Sequence, residues 1–263
     1  MSLGIVIKSP EGIVLAAESR VTLTVNGLNG QPSHMVNFDN ATKLFSFKAP
    51  HNHIGVVTYG QAAIGQRTAH SFVPEFESTL PNERLTVAEM AQRISNFYME
   101  QWNAVMPQNY IGPEMTFIVA GFNENEPYGR VFLLDLPHRL QPIEQQPSIG
   151  DFGITWGGQR EIVDRLIQGF DLRVIPIISQ ILNLNPQQQQ QIDIVLKQNL
   201  QLPIPLNVMA LQDCINLAKL FIRTTIETQE LTIGVRGCGG PIEVAVIKRE
   251  EELKYIKHKS VTA

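Results

Sequence analysis

Apolar residues open the chain in two runs, Leu3-Gly4-Ile5-Val6-Ile7 and Ile13-Val14-Leu15-Ala16-Ala17, separated by Ser9-Pro10-Glu11-Gly12. Pro and Gly at these places suit a tight connection, so the pattern predicts a hairpin of two apolar strands. A polar stretch over 26–40, with Gly27, Gly30 and Pro32, reads as a loop with room for a short strand. Residues 42–47 and 53–59 are two more strand candidates.

The period then changes. Residues 62–76 carry a helical pattern that Gly65 and Pro74 weaken. Thr86-Val87-Ala88-Glu89 matches a capping box, with Thr86 as cap and Glu89 reaching back. Behind it Val87, Met90, Ala91, Ile94, Phe97, Tyr98, Trp102 and Val105 recur at helical spacing until Pro107. Strands return at 115–122, 130–135 and 152–156. A third helix is predicted over 159–170, and two short helices over 172–200, where Pro186 and the glutamine run 187–191 lie. A long helix follows Asn207, and a strand over 242–248 leads into a charged, solvated tail from Arg249. The order of elements is not the alternation of a parallel α/β fold. It predicts an α+β chain, a single domain over 1–263, built as a four-layer αββα sandwich of two antiparallel sheets flanked by helices.

Composition narrows the function. A hydrophobic share of 43% supports a sizeable core, and a formal net charge of -4 leaves no basic footprint for nucleic acid. Cys214 and Cys238 make neither a disulfide framework nor metal-ligand spacing. The pair His51-Asn52-His53 lacks nearby carboxylates or cysteines and reads as a loop rather than a metal site. No apolar run reaches the length of a membrane span, and the start is no secretory signal. The chain reads as soluble, reduced and cytoplasmic, with no cofactor and no metal.

Candidate chemistry lies at the second residue. With Met1 removed, Ser2 would carry both a hydroxyl and a free α-amine, a nucleophile and its own base on one residue. The amine titrates at roughly 7.7–8.0, so at neutral pH a useful fraction can accept the hydroxyl proton.

The residues that follow resemble a known family. Ser2 to Ile7, then Gly12-Ile13-Val14-Leu15-Ala16-Ala17-Glu18-Ser19-Arg20-Val21-Thr22, then Ala41-Thr42-Lys43-Leu44-Phe45, and finally Gly239-Gly240-Pro241-Ile242-Glu243-Val244-Ala245-Val246, look like a β-type proteasome subunit. The wider group is the N-terminal nucleophile (Ntn) hydrolases, with the bacterial proteasome-like peptidases. The region 172–200 and part of 26–40 look like insertions. The resemblance implies that Ser2 stands at the family's threonine nucleophile, Glu18 at its acidic residue, and Lys43 at the lysine beside the nucleophile. A nearby ammonium stabilises a developing alkoxide, and a carboxylate keeps that lysine charged and aimed. Arg20 is implied to be structural. Gly60 is the candidate for the backbone N–H that receives the oxyanion.

The pattern is incomplete. Where the family has an Asp and two Ser around the site, this chain has Val235, Cys238 and Gly158. Serine in place of threonine also lacks the β-methyl that restricts the rotamer. The implied function is cleavage of peptide or amide bonds through Ser2 after Met1 removal. The alternatives are a catalytically inactive ring or scaffold subunit, and an Ntn hydrolase of small amides. A homo-oligomeric ring is implied by analogy. The chain has no phosphate-binding glycine loop of its own, and an ATPase partner is left open.

Overall fold

Strand β1 (Leu3–Ser9) is buried along its whole length, and so is β2 (Gly12–Ala17). Side chains alternate between the two faces of a strand. Leu3, Ile5 and Ile7 therefore enter one apolar cluster, with Val14 and Ala16, while Val6 enters another with Ile13, Leu15 and Ala17. This double burial is why both runs read as continuously apolar. The computed structural model describes residues 2–25 and 34–259.

The β1–β2 hairpin closes as predicted, with Ser9 opposite Gly12 and Ser9 Oγ donating to Gly12 O at 3.0 Å. Next come β3 (Val21–Val25) and β4 (His34–Phe38), which pair with each other. The loop predicted over 26–40 thus ends in a strand, and its residues 26–33 lie outside the described residues. Strands β5 (Leu44–Ser46) and β6 (Ile54–Gly60) follow and pair antiparallel.

The helix predicted over 62–76 does not form. Its place is taken by the short strands β7 (Ala63–Ile64) and β8 (Arg67–Thr68), a 3₁₀ turn (Ala69–Phe72) and the short helix α1 (Val73–Glu77). Gly65, at φ 59°, makes the turn between β7 and β8, and Pro74 occupies the first turn of α1, where its missing N–H costs nothing. Helix α2 (Val87–Val105) has the predicted capping box, with both reciprocal bonds present.

The remaining elements are β9 (Met115–Gly121), β10 (Arg130–Leu136), β11 (Arg139–Gln145), β12 (Gly153–Gly158), α3 (Glu161–Gln168), α4 (Val174–Leu182), α5 (Pro186–Leu200), α6 (Leu211–Leu231), β13 (Glu243–Ile247) and β14 (Lys254–Lys257). Strand β11 was not predicted, because four of its seven residues are exposed and it lacks an apolar run. The charged segment after Arg249 returns to the body as β14 instead of staying in solvent.

One five-stranded sheet runs β12-β1-β2-β13-β14, and the other β11-β10-β9-β6-β5. Every strand pairing in them is antiparallel. Three apolar clusters define the layers. Helices α3 and α6 cover the first sheet, α1 and α2 cover the second, and a third cluster lies between the sheets, with Val6, Leu15 and Ala245 facing Leu44, Val57 and Ile118. The fold is α+β, with six α-helices among the described residues and the αββα layering expected.

Candidate functional site

Glu18 leaves the end of β2 and is completely buried. Its carboxylate gathers four donors. Oε1 accepts from the Leu3 N–H at 3.2 Å and from Lys43 Nζ. Oε2 accepts from the Arg20 N–H at 2.7 Å and the Gly239 N–H at 3.0 Å. A buried carboxylate is tolerated only when its lone pairs are met, and here they are met from four separate segments. One oxygen atom therefore ties the residue next to Ser2 to the Lys43 amine.

Lys43 is itself buried, 4% exposed, and also donates to the Arg20 carbonyl. Burial pushes its amine below the ordinary lysine range, and the Glu18 carboxylate opposes that shift. It precedes β5, and its carbonyl accepts from the Thr58 N–H of β6 at 2.9 Å, which fixes its backbone.

The Arg20 side chain takes partners other than Lys43. Its guanidinium forks onto Asp39, Nε to Oδ1 at 2.6 Å and NH2 to Oδ2 at 2.8 Å, and NH1 reaches the Arg236 and Cys238 carbonyls at 3.4 and 3.3 Å. Gly239 leaves room for it, since a Cβ there would sit 2.3 Å from the guanidinium carbon. Asp39, which no local motif marks, is held below its ordinary range by that side-chain bond to Arg20.

Ser2, 3% exposed, directly precedes β1. Its carbonyl accepts from the Gln159 N–H at 2.6 Å, and a Cβ on Gly158 (φ 94°) would lie 1.8 Å from that oxygen. Glycine at 158 is therefore imposed by the approach of the Ser2 backbone. Ser2 and Lys43 line one narrow cleft of about 20 Å³, with Ala41, Thr58 and Tyr59. Thr58 Oγ1 is buried there without a hydrogen-bond partner among the described residues. A hydroxyl and an ammonium that share one small cleft have the chemistry to form and stabilise an alkoxide.

Gly60 ends β6 at φ 89°, and a Cβ would lie 2.0 Å from the Glu114 carbonyl. That approach alone explains glycine there. Its neighbours Tyr59 and Gln61 both line the cleft. Of the departures, Cys238 is fully buried and lies close enough to Lys43 and Glu18 to feel both charges. Burial drives its thiol far above the ordinary range, which disfavours the thiolate. Val235 is half exposed.

The rings of His51 and His53 lie against backbone carbonyls, His51 Nε2 at 3.0 Å from Pro81 O and His53 Nε2 at 3.0 Å from Leu85 O. Among the described residues, no three His, Cys, Asp or Glu side chains gather to hold a metal ion, and no helix is long and apolar enough to cross a membrane.

No family model and no curated protein matches the chain. Solved structures do. A Gly-1 mutant of Anbu from Hyphomicrobium sp. strain MC1 superposes with a TM-score of 0.56 at 14% identity, over 97% of this chain and 87% of that one. Anbu, an ancestral beta-subunit, from Yersinia bercovieri superposes with a TM-score of 0.55 at 15% identity, over 98% and 88%. The fold is a proteasome-like Ntn fold. The family assignment made from the motifs is corrected by these findings. The likeness is to Anbu, and it fits β-type proteasome subunits and bacterial proteasome-like peptidases only loosely. The motifs misled because the residues that carry them, such as Gly239 against Arg20 and Glu18 under β1, also answer to the packing of the fold.

Proposed function

We propose that the chain is an N-terminal nucleophile hydrolase that cleaves an amide bond through Ser2 once the residue before it is removed. The observation that carries this reading is the shared oxygen of Glu18, which accepts from both the Leu3 N–H and Lys43 Nζ. In the proposed step Ser2 Oγ attacks the amide carbon while its proton passes to the Ser2 α-amine. The Lys43 ammonium stabilises the alkoxide as it forms. The C–N bond then breaks, the proton goes to the leaving amine, and an ester on Oγ remains. Water, deprotonated by the same α-amine, hydrolyses that ester and restores the hydroxyl. Arg20 and Asp39 hold the loop; Gly60, with its neighbours on the cleft, is the proposed oxyanion donor. Peptides and small amides both fit this chemistry. We further propose that copies of the chain assemble into a ring, by likeness to neighbours of which one is described as a beta-subunit.

A second reading is favoured by one observation. Position 158 has no side chain, position 235 is an exposed valine and position 238 a buried thiol, so none of the three supplies a carboxylate or hydroxyl. On that reading the chain is a silent scaffold. Intact-mass analysis followed by a β-lactone probe, which acylates hydroxyl nucleophiles, separates the two. The hydrolase reading expects loss of Met1, one adduct mapped to Ser2, and none in Ser2→Ala. A retained Met1, or labelling that persists in Ser2→Ala, overturns it.

A further inference from the structure

A second acid and amine, a buried Glu243 and a partly buried Lys259, meet the segments that carry the first pair. Glu243, 1% exposed, opens β13. Lys259, just past β14, donates to Glu243 Oε2 at 2.6 Å and to the Ala41 carbonyl at 2.9 Å, and lies 3.5 Å from Ser19 Oγ. His258 Nδ1 is 2.7 Å from Glu243 Oε1. Ser19 follows Glu18, and Ala41 stands two residues before Lys43. The two are already joined, since the Ala41 N–H donates to Ser19 O at 2.9 Å, while Ser19 Oγ donates to Pro241 O at 2.8 Å. The Lys259 amine thus closes the junction between the two segments that carry Glu18 and Lys43.

We propose that Lys259 is a positioning residue for the nucleophile site, holding the Ser19 side chain and the Ala41 backbone so that Glu18 and Lys43 meet beside Ser2. The inference rests on the hydrolase reading for its catalytic consequence. Its charge also reaches Lys43. Burial is the main cause of the depressed Lys43 amine, and the Lys259 cation acts in the same direction, against Glu18 and Cys238. The charged or titratable groups facing Lys259 are Glu243, His258 and His70, the last lowered chiefly by burial and next by Lys259.

The test uses the full chain after Met1 removal, with β-lactone labelling of Ser2 followed across pH. In Lys259→Met the labelling rate at neutral pH is expected to fall about tenfold, a barrier increase of about 1.4 kcal/mol from lost positioning. Its alkaline limb is expected to move to higher pH, because a cation that disfavours charged Lys43 has gone. Lys259→Arg is expected to keep most of the rate. Unchanged rate and profile in Lys259→Met, with wild type labelled at Ser2, overturn the proposal. If wild type is not labelled at Ser2, the hydrolase reading falls separately. Amide exchange then decides about Lys259. Faster exchange over 18–20 and 41–43 in Lys259→Met supports the brace, and unchanged exchange overturns it. Should Lys259→Met not fold, Lys259→Gln is read the same way.

Discussion

A carboxylate buried with four donors is sensitive to the loss of any one of them. Removing the Lys43 amine leaves the Glu18 charge buried and uncompensated, which typically costs about 3–5 kcal/mol. Lys43→Met is therefore expected to lower urea stability by that amount and to abolish Ser2 labelling. The double variant Lys43→Met with Glu18→Gln removes the charge as well. It is expected to recover most of the stability and none of the labelling. Recovery of both would mean that the pair serves the fold alone. The pH profile belongs to this scale too. Because burial lowers the Lys43 amine, the alkaline limb of labelling should lie below pH 10.5, the ordinary lysine value. A limb at or above that value contradicts the role given to Lys43.

Between residues and the whole stand the cross-tied segments. The Arg20–Asp39 fork joins the exit of β2 to the segment after β4 and, through Arg20 NH1, to the approach to β13. Asp39 has a depressed folded-state pKa, so its contribution to stability is present above the unfolded value and is lost as pH falls through the folded one. The predicted window is thus below about pH 3.9, the unperturbed aspartate value. Asp39→Asn should flatten the fall in melting temperature there, and an unchanged acid slope would count against the fork as a stabilising tie. These ties explain what was legible in the sequence. Most strands of the two sheets, though not the edge strands β11 and β14, and helix α2 announce themselves through local apolar runs and the Thr86–Glu89 cap. Ser2, Glu18 and Lys43 could be singled out from short segments, and the structure brings all three together. Asp39, Glu243 and Lys259 could not, since each takes its meaning from partners that no local pattern links to it. Residues 62–76 failed for a related reason. Their apolar spacing fits a helix, but Gly65 turns the chain and Tyr98 of α2 reaches across to bond the Ala69 carbonyl at 2.7 Å.

Across the molecule, protection is uneven. Strands β1, β2, β9 and most of β6 are buried on both faces, whereas α5 has no buried residue and α4 exposes Ile177, Ile181 and Leu182. Few buried contacts mean low-energy local opening. Hydrogen exchange should therefore be fastest in the α4–α5 region and slowest in β1, β2, β6 and β9. Equal protection in both sets would argue that α4 and α5 are covered, and light scattering would then report whether copies of the chain cover them.

The four donors on Glu18 also set an order of events during synthesis. Two of them come from residues 3 and 20, but the Gly239 N–H lies 221 residues downstream of Glu18. A chain growing from its N-terminus carries the first hairpin long before the fourth donor exists, and contacts of such separation form late. A fragment that ends anywhere from residue 43 to residue 238 holds Ser2, Glu18 and Lys43 and still lacks the amide that completes the carboxylate's shell. The Glu18 cluster is thus completed only after residue 239 has been made, which on the hydrolase reading leaves Ser2 without its finished site on shorter nascent chains.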